Sequence, residues 1–208
     1  MKANRRVVAW SLLATASFVL AVLLAGYGLP GYSHRLHPLA LRGASGLPWA
    51  MLFNAGAFLL PGVCLLLVAQ SMRDALHRHG WSARIGLALA QLSALAYGAQ
   101  GLLPMTFGEI DSPANRLHVL AWMLWWIAFV PAMLLLALGA RRGALFASTC
   151  VLAGVLVPLL AVLAPIGLWV GLAQRLAFGL WFGWWLWAAW RLTRTSVSAA
   201  GSSPPAGT

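Results

Sequence analysis

Long apolar segments alternate with short polar connections along the chain, and each segment is long enough to cross a bilayer. A membrane-spanning helix needs about 20 mostly apolar residues. The segments that meet this requirement are residues 7–29, 48–71, 85–105, 117–140, 144–164 and 171–190. Each of these segments is flanked by charged residues, by Pro or by Gly. The pattern predicts an all-α fold, in which residues 1–195 form a single polytopic bundle of six transmembrane helices.

The composition excludes a water-soluble globular protein. Apolar residues make up 62% of the 208 residues and charged residues only 8%, whereas soluble domains are about 45–50% apolar and about 25% charged. The net charge of +11 does not indicate a nucleic-acid-binding protein, because the basic residues fall in short groups between apolar segments and form no clustered basic face. The predicted partner is therefore the lipid bilayer and not nucleic acid.

The basic residues predict the orientation, since cytoplasmic loops carry an excess of Lys and Arg. One side of the predicted bundle holds ten of them: Lys2, Arg5, Arg6, Arg73, Arg78, Arg84, Arg141, Arg142, Arg191 and Arg194. The other side holds four: Arg35, Arg42, Arg116 and Arg175. Both termini are thus expected in the cytoplasm, with connections 30–47 and 106–116 outside, in the plasma (inner) membrane of a bacterium. Residues 196–208 are rich in Ser, Gly, Ala and Pro, which predicts a disordered tail.

Polar side chains within the predicted spans concentrate in the outer half of the bundle. Such side chains cost free energy unless they face the interior. The residues that we expect to line a polar pocket there are Asn54, Tyr97, Gln100, His118 and Arg175. For Arg175 a pairing with Asp111 or Glu109 is expected, and an anionic headgroup is the alternative.

Three prolines, Pro61, Pro131 and Pro158, fall inside predicted spans. Proline leaves the carbonyl of the preceding turn without its donor, so a membrane helix tolerates it where a neighbouring group or water takes over that carbonyl. The prolines therefore predict kinks, which membrane helices also use for packing alone.

A tryptophan cluster on the last predicted helix, formed by Trp181, Trp184, Trp185, Trp187 and Trp190, is interpreted as core packing plus an interfacial belt. It does not require a bound group, and no cofactor is expected. Cys64 and Cys150 both lie inside predicted spans and offer neither a disulfide framework nor zinc spacing.

The outer connections could form a metal site. His34, His37, Asp111 and His118 are possible zinc ligands, and Glu109 could then act as the general base of a hydrolase. Against this, His-x-x-His in a loop fixes no geometry, and the same residues can tie the outer loops together by hydrogen bonds. We favour the structural interpretation and expect no metal.

A family resemblance rests on several short motifs: Tyr32-Ser33-His34, His37-Pro38, Asn54, Leu103-Pro104, Asp111 and Leu117-His118. Over roughly residues 8–192 the chain resembles the bacterial and archaeal membrane proteins classified as domain of unknown function 998. The resemblance implies a six-helix membrane protein with a shared outer-face pattern, and it implies no activity.

Three functions remain open, and a role without catalysis is favoured over an enzyme. The first is binding or passage of a small solute or lipid headgroup through the outer polar pocket. The second is the metal-dependent hydrolase described above. The third is a structural subunit, as a homo-oligomer or with another membrane protein, in which small residues on the third predicted helix admit a partner helix: Gly86, Ala90, Gly98 and Gly101.

Overall fold

A computed structural model describes residues 2–76, 80–106, 108, 111–140, 142–164 and 169–200. The helices are α1 (Lys2–Leu24), α2 (Leu39–Arg42), α3 (Ala50–Asn54), α4 (Leu60–Leu76), α5 (Trp81–Ala99), α6 (Pro113–Gly139), α7 (Ala144–Pro158) and α8 (Val170–Ala200). Two π-helical turns, Ala55–Leu59 between α3 and α4 and Leu159–Leu163 after α7, extend these helices. The all-α fold class predicted from the sequence is confirmed.

Among the described residues, four helical segments are long and apolar enough to cross a membrane: Arg5–Leu24, Ala50–Arg73, Pro113–Gly139 and Ala144–Leu163. The other two long helices, α5 and α8, are less apolar in sequence because they carry Gln, Arg, Gly and several Trp residues. Both bury much of their surface against the rest of the bundle. The chain is therefore a membrane protein, with α5 and α8 as packed members of the same bundle.

The long helices pack in a ring that follows the order of the chain. In the described part, α1 contacts α4, α4 contacts α5, and the series continues through α6 and α7 to α8, which returns to α1. Close helix approach at two of these interfaces depends on glycine, since a Cβ on Gly62 would lie 2.6 Å from the Cα of Gly98 and one on Gly86 would lie 3.0 Å from the backbone of Leu136. Small residues allow such approach where no hydrophobic effect drives helices together.

Aromatic rings fill the centre of the ring of helices. Tyr97 of α5 lies 4.8 Å from Trp181 and 5.1 Å from Phe178 of α8, measured between ring centroids. Trp125 of α6 lies 4.7 Å from Phe178. Trp181 and Trp185 are fully buried, whereas Trp190 is 40% exposed. Core packing therefore explains the inner part of the tryptophan cluster.

The connections at one end of the bundle, which the sequence predicts to be the outer end, are tied to each other. The Ser45 amide donates to the Met105 carbonyl at 2.7 Å. The Asn115 side chain accepts from the Thr106 amide at 2.7 Å and donates to the Thr106 carbonyl at 3.1 Å. Ser112 caps α6 by accepting from the Asn115 amide, with Pro113 in the first turn.

Several predicted boundaries differ from the structure. α6 begins at Pro113, before the predicted start at residue 117, because Ser112 provides the cap. The last helix continues to Ala200 instead of ending at residue 190. Residues 201–208 of the predicted tail lie outside the described residues, as do Glu109, His77 and His79.

Candidate functional site

Arg175, in the second turn of α8, holds the connection after α1 against that helix. Its Nη1 donates to the carbonyls of His37 at 2.9 Å and Gly171 at 2.7 Å, and its Nη2 donates to the Tyr32 hydroxyl at 2.5 Å. The Arg175 side chain is buried, and its Nε has no hydrogen-bond partner in the part of the chain that the structure describes. Carbonyls and a phenol thus satisfy most of this guanidinium.

The expected pairing of Arg175 with Asp111 is wrong. The Asp111 carboxylate is on an exposed side chain and lies 4.0 Å from Arg116. Exposure leaves this carboxylate hydrated, so it has no need of a buried partner. The other predicted partner, Glu109, lies outside the described residues.

Further contacts fix the same connection on the N-terminal end of α8. The Leu172 amide donates to the Arg35 carbonyl at 3.2 Å. The Gln174 side-chain oxygen accepts from the Leu39 amide at 2.7 Å, which satisfies an amide at the start of α2. The Arg35 guanidinium stacks 3.7 Å from the Trp169 ring centroid. Residues 32–39 therefore form a docked strap across the end of the bundle.

The strap shifts two ionisation equilibria. Burial raises the pKa of the Tyr32 phenol, and the nearby positive charge of Arg175 only partly opposes this. Burial, together with the same positive charge, lowers the pKa of His34. At neutral pH, Tyr32 is therefore protonated and His34 uncharged.

Asn54 packs against the connection that precedes α3. Its Nδ2 donates to the Gly43 carbonyl at 2.8 Å, and its side chain is buried. A Cβ at Gly43 would lie 1.8 Å from the Asn54 Oδ1. Only glycine at position 43 allows this contact.

Tyr97 lies on α5, but its hydroxyl forms a hydrogen bond with the helix that contains Pro61. An amide at position 61 would donate to the carbonyl of Ala57 in an α-helix or to that of Gly56 in a π-helix, and Pro61 has no amide hydrogen. The Tyr97 hydroxyl donates to the Ala57 carbonyl at 2.8 Å, and the Ser17 hydroxyl donates to the Gly56 carbonyl at 2.6 Å. The sequence-based expectation that a neighbour would take over a carbonyl freed by Pro61 is confirmed.

Gln100 and His118 lie beside each other at the end of α5. The Nδ1 of His118 lies 2.8 Å from the Leu103 carbonyl and, on the tautomer that this acceptor requires, donates to it. Gln100 is 1% exposed, and neither its Oε1 nor its Nε2 has a hydrogen-bond partner among the described residues. The buried side-chain amide of Gln100 is therefore available to a ligand, because no described residue bonds to it.

The five predicted pocket residues thus fall into one group of three and two separate residues. Asn54, Gln100 and His118 surround the end of α5, where a Cβ on Gly101 would lie 2.8 Å from the Asn54 carbonyl. Arg175, on α8, contacts the docked strap. Tyr97 lies among the central aromatic rings, about one helical turn from Gln100 along α5.

Arg42 is a functional candidate that the sequence pattern indicates only as a basic residue of the outer side. It is 7% exposed, its Nη1 donates to the Pro48 carbonyl at 2.7 Å, and its Nε has no partner among the described residues. It lines a groove of about 490 Å³ between α1 and the helix that begins at Ala50. The signal in the sequence is an arginine that directly follows the apolar Leu39-Ala40-Leu41.

The predicted metal ligands are not assembled. The His37 Nδ1 accepts from the Ser33 amide at 2.9 Å, while His118 and Asp111 have the partners given above. Among the residues that the structure describes, no three His, Cys, Asp or Glu side chains are grouped so that they could hold a metal ion. The hydrolase alternative therefore has no ligand set in the described chain.

The small residues of α5 are used within the bundle. Gly86 approaches α6, Gly98 approaches Gly62, and Gly101 approaches Asn54 and Leu59. Ala90 is fully buried. These intramolecular contacts account for the small-residue pattern, so the pattern gives no separate support for an external helix.

Comparison with curated proteins gave no match, and comparison with solved structures gave none either. A protein-family profile matches residues 12–191, which include every long helix of the bundle in whole or in large part. Its description is "Protein of unknown function (DUF998)". The chain belongs to this family of proteins of unknown function, DUF998.

Proposed function

We propose that the protein binds a small polar solute or a lipid headgroup inside the outer half of its bundle, without catalysing a reaction on it. The binding residues are Gln100 and its neighbours Asn54 and His118, three of the five residues predicted from the sequence. The observation that carries the proposal is the Gln100 amide, which is 1% exposed and has no hydrogen-bond partner for either polar atom among the described residues.

The cost of such an amide supports a ligand at this position. A buried polar group without a partner costs about 1–3 kcal/mol, and polar groups in a membrane interior usually mark a functional site. The neighbours Asn54 and His118 already bond to backbone carbonyls. Their partners fix the walls of the site, while the Gln100 amide supplies one donor group and one acceptor for a ligand.

The proposed setting is the plasma membrane of a bacterium, with six crossings and both termini in the cytoplasm. The ring of α1, α4, α5, α6, α7 and α8 supports six crossings. The distribution of Lys and Arg supports the orientation. A homo-oligomer or a partner membrane protein remains compatible with this arrangement, and the lipid bilayer is the partner that the apolar exterior requires.

Substitution of Gln100 by Leu tests the function. Leu has a similar size and removes the unpaired atoms, so we expect the delipidated Gln100→Leu protein to be more stable than wild type by about 1–3 kcal/mol in detergent. We also expect sn-glycerol 3-phosphate or phosphoethanolamine, used as soluble headgroup probes, to raise the melting temperature of wild type and not of Gln100→Leu.

Ser93→Ala is the matched control, because the Ser93 hydroxyl is also buried on α5 without a partner but lies two turns away. This variant should keep the response to the probes. A Gln100→Leu protein that is less stable than wild type would show that the amide has a structural partner. Failure of both probes to raise the wild-type melting temperature would also contradict the proposal.

A further inference from the structure

The groove beside Arg42 lies on the lipid-facing side of the bundle. Its volume of about 490 Å³ falls within the roughly 300–1,000 Å³ of typical ligand sites. Leu20 and Leu24 of α1 form one wall, and Leu52 forms part of the other. These three leucines are 57%, 52% and 69% exposed, so the groove opens toward the hydrocarbon of the bilayer.

Arg42 places a positive charge in the wall of this apolar groove. Its buried Nε lacks a partner within the described ranges, and its guanidinium lies 5.7 Å from the Phe53 ring centroid. Among the described residues, Arg42 forms no ion pair with an Asp or Glu. A buried cation without a counter-ion is costly near a membrane, and a phosphate supplies both the negative charge and the acceptor oxygens that a guanidinium prefers.

Two exposed aromatic residues mark the mouth of the groove as a membrane–water interface. Tyr27 is 83% exposed and Trp49 is 75% exposed, as is typical of rings at the level of lipid headgroups. The distance along the helix from Trp49 at the mouth to Gly56 at the floor of the groove is about 10 Å, at ~1.5 Å per residue. This depth lies within the ~15 Å of hydrocarbon in one leaflet, half of the ~30 Å core.

We propose that the groove binds one acyl chain of an anionic phospholipid, with the lipid phosphate on Arg42. The chain would lie between α1 and the helix that begins at Ala50, and the headgroup would lie between Tyr27 and Trp49. This site goes beyond the proposed function, because it shares no residue with the interior site around Gln100 and opens to lipid.

A second groove of the same bundle provides the internal comparison. Its volume is about 330 Å³, and Leu152, Leu156 and Trp187 are among the residues that line it. No charged side chain lines this second groove in the part of the chain that the structure describes. A lipid chain there would gain apolar contact but no headgroup selectivity.

Lipid binding by the detergent-purified full chain tests the proposal, with native mass spectrometry as the readout. The probes are phosphatidylglycerol and phosphatidylcholine with identical acyl chains. Both lipids carry a phosphate, but the choline cation of phosphatidylcholine cancels its charge and is repelled by Arg42. For wild type we therefore expect about a tenfold preference for phosphatidylglycerol. Equal binding of the two lipids would overturn the proposal.

Filling the groove locates the site. A Cβ at Gly56 has no atom within 4 Å, so Gly56→Leu can occupy the floor of the groove, and the preference should fall to about one. Gly183→Leu fills the second groove, also without an atom within 4 Å of its Cβ, and should keep the tenfold preference. Arg42→Gln should lose the preference as well. A Gly56→Leu protein that keeps the preference would refute the site.

Labelling of the wild-type chain avoids any dependence on variants. Phosphatidylglycerol with a photoreactive diazirine in its acyl chain should label peptides that contain Leu24 and Leu52 at least several-fold more than peptides that contain Leu152 and Leu156. Equal labelling of the two grooves would overturn the proposal.

Discussion

Pro61 creates a defect that two distant hydroxyls repair. Its missing amide hydrogen frees one carbonyl, that of Gly56 in a π-helix or that of Ala57 in an α-helix, and a side-chain hydroxyl donates to each of these two. Ser17 lies 39 residues before Gly56 and Tyr97 lies 40 residues after Ala57. The proline, the π-helical turn before it and both hydroxyls therefore form one structural unit.

The Tyr97→Phe substitution should remove one of these hydrogen bonds while keeping the ring. We expect a loss of roughly 0.5–2 kcal/mol in the free energy of unfolding in mixed detergent micelles, the range for interhelical hydrogen bonds in membranes. In a Pro61→Ala background the backbone amide of position 61 can donate to the Ala57 carbonyl instead. The Tyr97→Phe substitution should therefore lower the free energy of unfolding much less in that background. An equal cost in both backgrounds would show that the Tyr97 hydroxyl does not act through Pro61.

The sequence predicts that a group outside the helix must donate to the carbonyl that Pro61 frees, but it does not predict which group. Proline in an apolar segment implies a freed carbonyl, whereas Ser17 and Tyr97 are brought to it only by packing of α1 and α5. The same limit explains the error at Arg175. Carboxylates are the partners that the sequence suggests for Arg175, whereas in the structure the strap provides the His37 carbonyl and the Tyr32 hydroxyl, and α8 itself provides the Gly171 carbonyl.

α8 and the strap approach each other so closely that Gly171 has no room for a side chain. A Cβ there would lie 2.4 Å from the His37 carbonyl oxygen and 2.7 Å from that of His34. Backbone atoms cannot yield as a flexible side chain can. The approach allows Arg175, one turn along α8, to reach the strap.

Gly171→Ala should therefore destabilise the protein by about 1–3 kcal/mol, the usual cost of overpacking. Gly179→Ala, on the same helix, meets no atom within 4 Å and should be neutral or stabilising by up to ~1 kcal/mol through helix propensity. The midpoints of thermal unfolding in one detergent provide the measurement. Indistinguishable midpoints for the two variants would contradict the close docking of the strap.

Hydropathy alone explains why α5 and α8 differ from the other long helices. Gln91, Ser93 and Gln100 accompany many Ala and Gly residues in and beside α5. α8 combines Gln174 and Arg175 with tryptophans. Apolar periodicity indicated both helices, but the short α2 and the two π-helical turns leave no comparable pattern, because a single turn buries too little surface to produce one.

The packing of α5 within the ring of helices predicts the membrane topology. If α5 crosses the membrane, Gly80 before it and Asp111 after it lie on opposite sides. If only the four most apolar segments cross, these two positions lie on the same side. We expect opposite sides, since α5 packs along both α4 and α6.

Cysteine labelling distinguishes the two topologies. In a background with Cys64 and Cys150 replaced by Ala, a membrane-impermeant maleimide applied to intact cells should label Asp111→Cys and not Gly80→Cys. Both positions are exposed, and labelling of Gly80→Cys after permeabilisation is the control. Labelling of both variants in intact cells would contradict six crossings.

The sequence establishes membrane residence and the helical segments of the whole molecule, because both follow from apolar run length. The closure of the ring by α8 against α1, and the groove beside Arg42, depend on which faces meet. That information lies in the packing of side chains such as Phe18 on Phe182, with ring centroids 4.6 Å apart.

The two hydroxyls that serve Gly56 and Ala57 also constrain biosynthesis. Ser17 has already been synthesised when these carbonyls are made, but Tyr97 follows Ala57 by 40 residues. At roughly 5–20 residues per second, the ribosome needs several seconds to supply it. During that interval a nascent helical hairpin holds an unpaired carbonyl in hydrocarbon, so this part of the chain matures only when a later segment joins it.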